Sequence, residues 1–149
     1  MILGSNKVAQ VAIVVKDIET TKQKYAEFFG VDVPATVTSG EYEMTKSEYK
    51  GQPAPKIACK MAFFNAGNLT VELIEPNGEP STWQDFLDEK GEGLHHIAFQ
   101  VEDTDKAIEK AKSMGMTVQQ RGKYGDASGE YSYLESSDLK IIIETLQSY

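Results

Sequence analysis

The sequence predicts an α+β fold in which one arrangement of strand, helix and closing strand is built twice within a single domain. Three observations predict it. Residues 8–17 (VAQVAIVVKD) and 94–103 (LHHIAFQVED) share an alternating apolar pattern ending in an acidic residue, with Gln10 and His96 aligned at an offset of 86. Each stretch leads into an amphipathic segment. Each half then closes on another alternating stretch, LTVELIEP at 69–76 and LKIIIETLQ at 139–147. A chain of 149 residues is the size of one ordinary domain.

The first stretch reads as a strand by its period of two, with Val11, Ile13 and Val15 on one face and Gln10, Ala12 and Val14 on the other. The larger apolar face is expected to pack on the helix that follows. In that helix Ile18, Tyr25, Phe28 and Phe29 fall at helical spacing, Asp17 can cap the start and Gly30 can stop the end. The second copy divides the same way. Ile97, Phe99 and Val101 face the helix, and His96, Ala98 and Gln100 face away. Its helix carries Ala107, Ile108, Ala111 and Met114 as the apolar stripe, with Asp103 or Thr104 as cap and Gly115 as stop. Alternation places His95 on the opposite face from His96, as a structural residue or a support for it.

Glu72 and Glu144 lie in the two closing strands at an offset of 72, so the first half carries about 14 extra residues. Residues 35–56, rich in Gly, Ser, Thr and Pro, are the expected extra loop. Between the halves, Pro76, Asn77 and Gly78 end a strand by turn chemistry. Ser81 and Gln84 then have capping-box spacing ahead of Trp83, Phe86 and Leu87, the apolar face of a short helix. Repeat one therefore spans about 7–76, the connector helix about 80–91 and repeat two about 93–147, within one domain of residues 1–149.

The bulk numbers exclude several classes of function. Hydrophobic residues make up 40% and charged residues 26%, which suits a packed core. The net charge of −8 argues against binding nucleic acid or an anionic membrane through the overall field. No apolar run is long enough to span a membrane. The start, MILGSNKVAQ, lacks the pattern of a secretion signal. With Cys59 as the lone cysteine, the expectation is a reducing cytoplasm. Arg121 is the only arginine, which disfavours a substrate gripped by several arginine forks.

The duplication puts Gln10 and Glu72 in one half and His96 and Glu144 in the other. If both halves face one cleft, these four supply one nitrogen and three oxygen donors. That mix suits one divalent ion with open positions, such as Zn, Ni, Co or Mn.

These motifs resemble the vicinal-oxygen-chelate superfamily, which includes glyoxalase I, methylmalonyl-CoA epimerases, extradiol dioxygenases and bleomycin- and fosfomycin-resistance proteins. The resemblance covers nearly the whole chain and is closest to the epimerases. It is carried by VAQVAIVVKDIE, VELIEPNGEPS, IIIETLQ and, most specifically, FLDEKGEGLHHIAFQVED. It implies two βαβββ repeats forming a half-open mixed sheet around a metal cleft, the glyoxalase-like fold. It also implies Gln10, Glu72, His96 and Glu144 as ligands to one divalent metal, with Glu144 doubling as the base that removes a proton next to a carbonyl. The implied enzyme is a metal-dependent isomerase or lyase acting on an acyl-CoA thioester or a thiol adduct, and the implied assembly is a homodimer.

Departures from the family pattern keep other readings open. Gln10 stands where epimerases usually have histidine, and the set Gln, Glu, His, Glu resembles zinc-type glyoxalase I. Val14 and Pro76, however, replace an arginine and an asparagine expected of a glutathione-using glyoxalase. Some epimerases carry a second acid/base glutamate on the strand before the second ligand. Here that strand, KIACKMAFF, has none, and Lys60 or Cys59 are the stand-ins. The segment 121–133 resembles a loop that covers the cleft, where Arg121 and Lys123 can meet a phosphate or carboxylate. A glyoxalase-like lyase on a thiol adduct and a non-catalytic drug-binding protein are the alternatives.

Overall fold

The computed structural model describes residues 1–149. Strand β1 (Gln10–Val14) leads into helix α1 (Ile18–Phe29). The segment that follows holds β2 (Val37–Thr38), the short helix α2 (Tyr42–Thr45), β3 (Glu48–Tyr49) and β4 (Gln52–Pro53). Strands β5 (Cys59–Asn65) and β6 (Thr70–Pro76) close the first half, and α3 (Thr82–Lys90) connects to the second. That half contains β7 (Gly93–Gln100), α4 (Thr104–Ser113), β8 (Thr117–Lys123), β9 (Gly129–Glu135) and β10 (Ile142–Ser148).

All ten strands form one sheet in the order β2-β5-β6-β1-β7-β10-β9-β8-β3-β4. The halves β2-β5-β6-β1 and β7-β10-β9-β8 mirror each other about the antiparallel β1–β7 pair, and within each half the first strand runs parallel to the last. This curled mixed sheet is the glyoxalase-like half-barrel that the sequence resemblance implies.

The extra segment of the first half is more than a loop. Its β3–β4 hairpin crosses to the far side and pairs with β8 of the second half. The sheet's edges are therefore two-residue strands, and Pro53 at one edge withholds a donor. Short edges and proline are two ways of discouraging edge-to-edge association.

Both main helices start as their sequences dictate. The Asp17 carboxylate accepts from the Thr20 amide and the Asp103 carboxylate from the Lys106 amide. Gly30 ends α1 in the left-handed conformation, at φ 69°. Outside the curve, Ile18 and Ala26 of α1 pack with Val15, Ala62, Phe64, Val71 and Leu73, and Ile108 and Ala111 of α4 pack with Met116, Leu134 and Ile143. Fully buried Ile18 and Leu73 contribute about 1.5–3 kcal/mol each. A third cluster, of Ala12, Val14, Cys59, Ile74, Trp83 and Tyr133, fills the inner face beneath α3, whose start is capped by Ser81.

Two expected core residues lie outside. Phe28 is 82% exposed, because at 100° per residue it stands about 80° off the stripe through Ile18 and Phe29. Met114 is exposed because the helix ends at Ser113, and Met116 enters the core after the turn at Gly115. No helix is long and apolar enough to cross a membrane.

Candidate functional site

The strand register brings the four candidate residues together within one chain. On β1, Gln10 is paired with Ala98 of β7, which is paired in turn with Glu144 of β10. One step along the same face, Ala12 is paired with Glu72 of β6 on one side and His96 of β7 on the other. The four therefore form a quadrilateral on the inner face with two alanines at its centre. All four are buried.

Glu72, His96 and Glu144 each offer a ligand atom within 4.8 Å of the others. His96 Nε2 lies 2.9 Å from Glu144 Oε2 and 3.6 Å from Glu72 Oε2. Burial pushes His96 down to about 3, so these contacts are not ordinary ion pairs. Burial also lifts both carboxyls well above the usual range; Glu144 raises Glu72 further, while the Tyr133 hydroxyl acts against the rise at Glu144. His96 Nε2 and Glu144 Oε2 are buried without a hydrogen-bond partner. Orphaned buried polar atoms are rare and costly. Two orphans facing each other beside a second buried carboxyl fit a cation between them, which would satisfy the lone pair and let both carboxyls ionise.

His95 is not on the opposite face. Between Ala12 and Ile13 the register shifts, Ala12 pairing with His96 and Ile13 with Leu94, which leaves His95 as the extra residue of a bulge. The bulge turns its ring so that Nδ1 lies 2.9 Å from His96 Nδ1, while Nε2 lies 3.3 Å from the Thr82 carbonyl. Burial, then His96, hold His95 well below the usual histidine range.

The site opens into a cavity of about 320 Å³ lined by Gln10, Glu72 and Glu144 and walled by apolar and aromatic side chains, among them Met61, Phe63, Trp83, Tyr131 and Tyr133. The sequence showed Trp83 only as the face of a connector helix. In the fold its indole N–H donates to the Tyr133 hydroxyl at 2.9 Å, and Gln120 donates to the Tyr131 hydroxyl at 3.0 Å. Alternation in GEYSYLE could have flagged Tyr131 and Tyr133 as sharing a face, but not which cavity they wall.

Of the two stand-ins, Lys60 points away from the cavity and lies 3.7 Å from Glu75, whereas Cys59 is buried and lines the cavity. Burial raises the Cys59 thiol well above its ordinary range. Arg121 is held by Glu130 and Asp105 at 2.8 Å each and does not line the cavity. Lys123, Tyr124 and Gly125 do line it, at the turn between β8 and β9.

The family model described as Glyoxalase/Bleomycin resistance protein/Dioxygenase superfamily matches residues 9–133. An uncharacterized protein of Bacillus subtilis, YqjC, is 56% identical over 39 residues, a match spanning 26% of this chain and 28% of that protein. An ethylmalonyl-CoA/methylmalonyl-CoA epimerase of Cereibacter sphaeroides is 30% identical over 109 residues, covering 72% of this chain and 70% of the relative. The fold is also that of a Streptomyces coelicolor methylmalonyl-CoA epimerase variant solved with 2-nitronate-propionyl-CoA, at TM-score 0.65 and 22% identity over 95% of this chain and 96% of that one.

Proposed function

The chain belongs to the glyoxalase/bleomycin resistance protein/dioxygenase superfamily, and from that premise we propose that it is a metal-dependent carbon-acid isomerase of the methylmalonyl-CoA epimerase kind. The observation that carries this reading is the buried pair of unpartnered atoms, His96 Nε2 and Glu144 Oε2, 2.9 Å apart beside Glu72. Gln10, Glu72, His96 and Glu144 would hold one divalent ion, of the Zn, Ni, Co or Mn type. When bound, such an ion supplies Lewis acidity to an oxyanion that develops next to the reacting carbon.

The chain's own residues supply the rest. Glu144 faces the cavity and takes the proton from the carbon next to the carbonyl. Trp83, Tyr131 and Tyr133 form a wall whose polar atoms already have partners, which excludes water from the reacting centre. Cys59, on the cavity lining, is the stand-in placed to return a proton to another face of that carbon. The substrate class, an acyl-CoA thioester, is carried over from the named activity of the Cereibacter relative. A homodimer belongs to the same reading, although the four site residues need no partner chain.

A second reading, a glyoxalase-like lyase on a thiol adduct, is favoured by Gln10 on the same face as the other three. Metal analysis followed by deuterium exchange into methylmalonyl-CoA tests the first reading, with a hemithioacetal assayed in parallel. The expected result is roughly one metal per chain, lost in His96→Ala, and exchange that follows metal content. Protein that takes up no Co, Zn, Ni or Mn would sink the enzymatic reading. Turnover of the hemithioacetal alone would transfer the site to the lyase.

A further inference from the structure

We infer that His95 is a positioning residue that fixes which nitrogen of His96 carries the proton, and so presents a bare Nε2 to the Glu72–Glu144 pair; the inference rests on the metal-site reading above. The geometry supplies the logic in three steps. The Thr82 carbonyl can only accept, so His95 Nε2, 3.3 Å away, carries a proton and donates. In a neutral imidazole the other nitrogen is then an acceptor, so His95 Nδ1 offers a lone pair. His96 Nδ1, 2.9 Å from it, must donate, and His96 Nε2 is left unprotonated. That nitrogen is the buried atom without a partner.

The relay is fastened at its far end. Thr82 opens α3, and its amide and hydroxyl both donate to Gln120 Oε1, at 3.0 and 3.3 Å. Gln120 in turn donates to the Tyr131 hydroxyl at 3.0 Å. The rings are boxed as well: Phe86 meets His95 edge-on with centroids 5.4 Å apart, and Tyr133 lies 5.3 Å from His95 and 5.0 Å from His96. The β-bulge makes the contact possible, because regular alternation would put the two rings on opposite faces of the sheet. A ligating histidine generally needs its remote N–H accepted by a neighbour, and loss of that neighbour typically costs 10–100-fold in metal affinity. Here the acceptor is the adjacent residue in sequence, and the backbone carbonyl behind it sets the acceptor's own tautomer.

Two variants test the role. His95→Phe keeps an aromatic ring between Phe86 and Tyr133 but has no acceptor. His95→Asn places an acceptor near the position of Nδ1. Nitrogen-15 NMR of metal-free protein reads the His96 tautomer directly, and Co(II) titration followed by its visible absorption reads affinity. The expected outcome is a His96 ring protonated at Nδ1 in the wild type and in His95→Asn but not fixed there in His95→Phe. Co(II) affinity should fall about 10–100-fold in His95→Phe and recover in His95→Asn. A wild-type His96 protonated at Nε2, or a His95→Phe variant that binds Co(II) like the wild type, overturns the inference. So does equal weakening in both variants, which marks a packing role. If the wild type takes up no Co(II) while the NMR shows the Nδ1 proton, the relay stands and the metal reading fails.

Discussion

Ala12 and Ala98 lie diagonally across the β1–β7 pair on the inner face of the sheet, both without exposed surface, and the four candidate ligands stand around them. With only methyl groups at these two positions, no bulky side chain stands between the four candidate ligands, as the proposed metal site requires. Ala98→Leu should fill that space. The expected result is a folded protein, destabilised by about 1–3 kcal/mol from overpacking, that no longer takes up Co(II). Urea unfolding and metal analysis of the same sample check both halves; full uptake by this variant would place the ion elsewhere.

Glu72 and Glu144 are equivalent by duplication, yet only Glu144 is assigned the proton. Glu144→Gln should therefore lower turnover by about 10²–10⁴-fold even at saturating metal. Glu72→Gln should weaken metal binding but recover turnover as metal is added. Initial rates of deuterium exchange against metal concentration separate the two; identical behaviour of the variants would remove the distinction.

Gly40 joins the insertion of the first half to the β8–β9 turn of the second. Its φ is +93°, and a side chain there would bring a Cβ within 2.8 Å of Gly125 Cα. Both the strained conformation and the backbone clash predict that Gly40→Ala costs about 1–3 kcal/mol. The urea midpoint should fall accordingly. Because Ser39 and Gly125 line the cavity, KM should rise as the two segments part.

Hydrogen bonds from the backbone and hydroxyl of Thr20 hold the Asp17 carboxyl below its ordinary range. A depressed folded-state value means that its contribution is complete above the unfolded-state value, about 3.9, and is lost as pH falls through the folded-state value. Asp17→Asn keeps a capping oxygen that does not titrate. The Tm difference between wild type and Asp17→Asn should therefore be constant above about pH 5 and shrink steadily toward pH 2. A difference that does not change with acid would mean that the cap is not electrostatic.

Much of the fold was legible because it rests on local periodicity. The two-residue alternation of VAQVAIVV and LHHIAFQV set the faces on which Gln10 and His96 stand, and Asp17, Gly30, Ser81 and Asp103 mark helix ends by chemistry that operates within a turn. The duplicated spacing placed Glu72 and Glu144 in equivalent strands. Phe28 and Met114 were misplaced because periodicity gives a face but not the width of the stripe or the residue at which a helix stops.

The sequence by itself determined the long strands of the duplicated halves, the helix caps and the inner and outer faces, and it singled out four candidate ligand residues, since each depends on neighbours a few positions away. Only the tertiary structure decided that the β3–β4 hairpin of the segment 35–56 crosses to pair with β8, that Cys59 rather than Lys60 faces the cavity, and that His95 touches His96. Each of these depends on pairing between distant strands. A single unpaired residue in a strand reverses the direction of its side chain, and no local pattern announces where that residue falls.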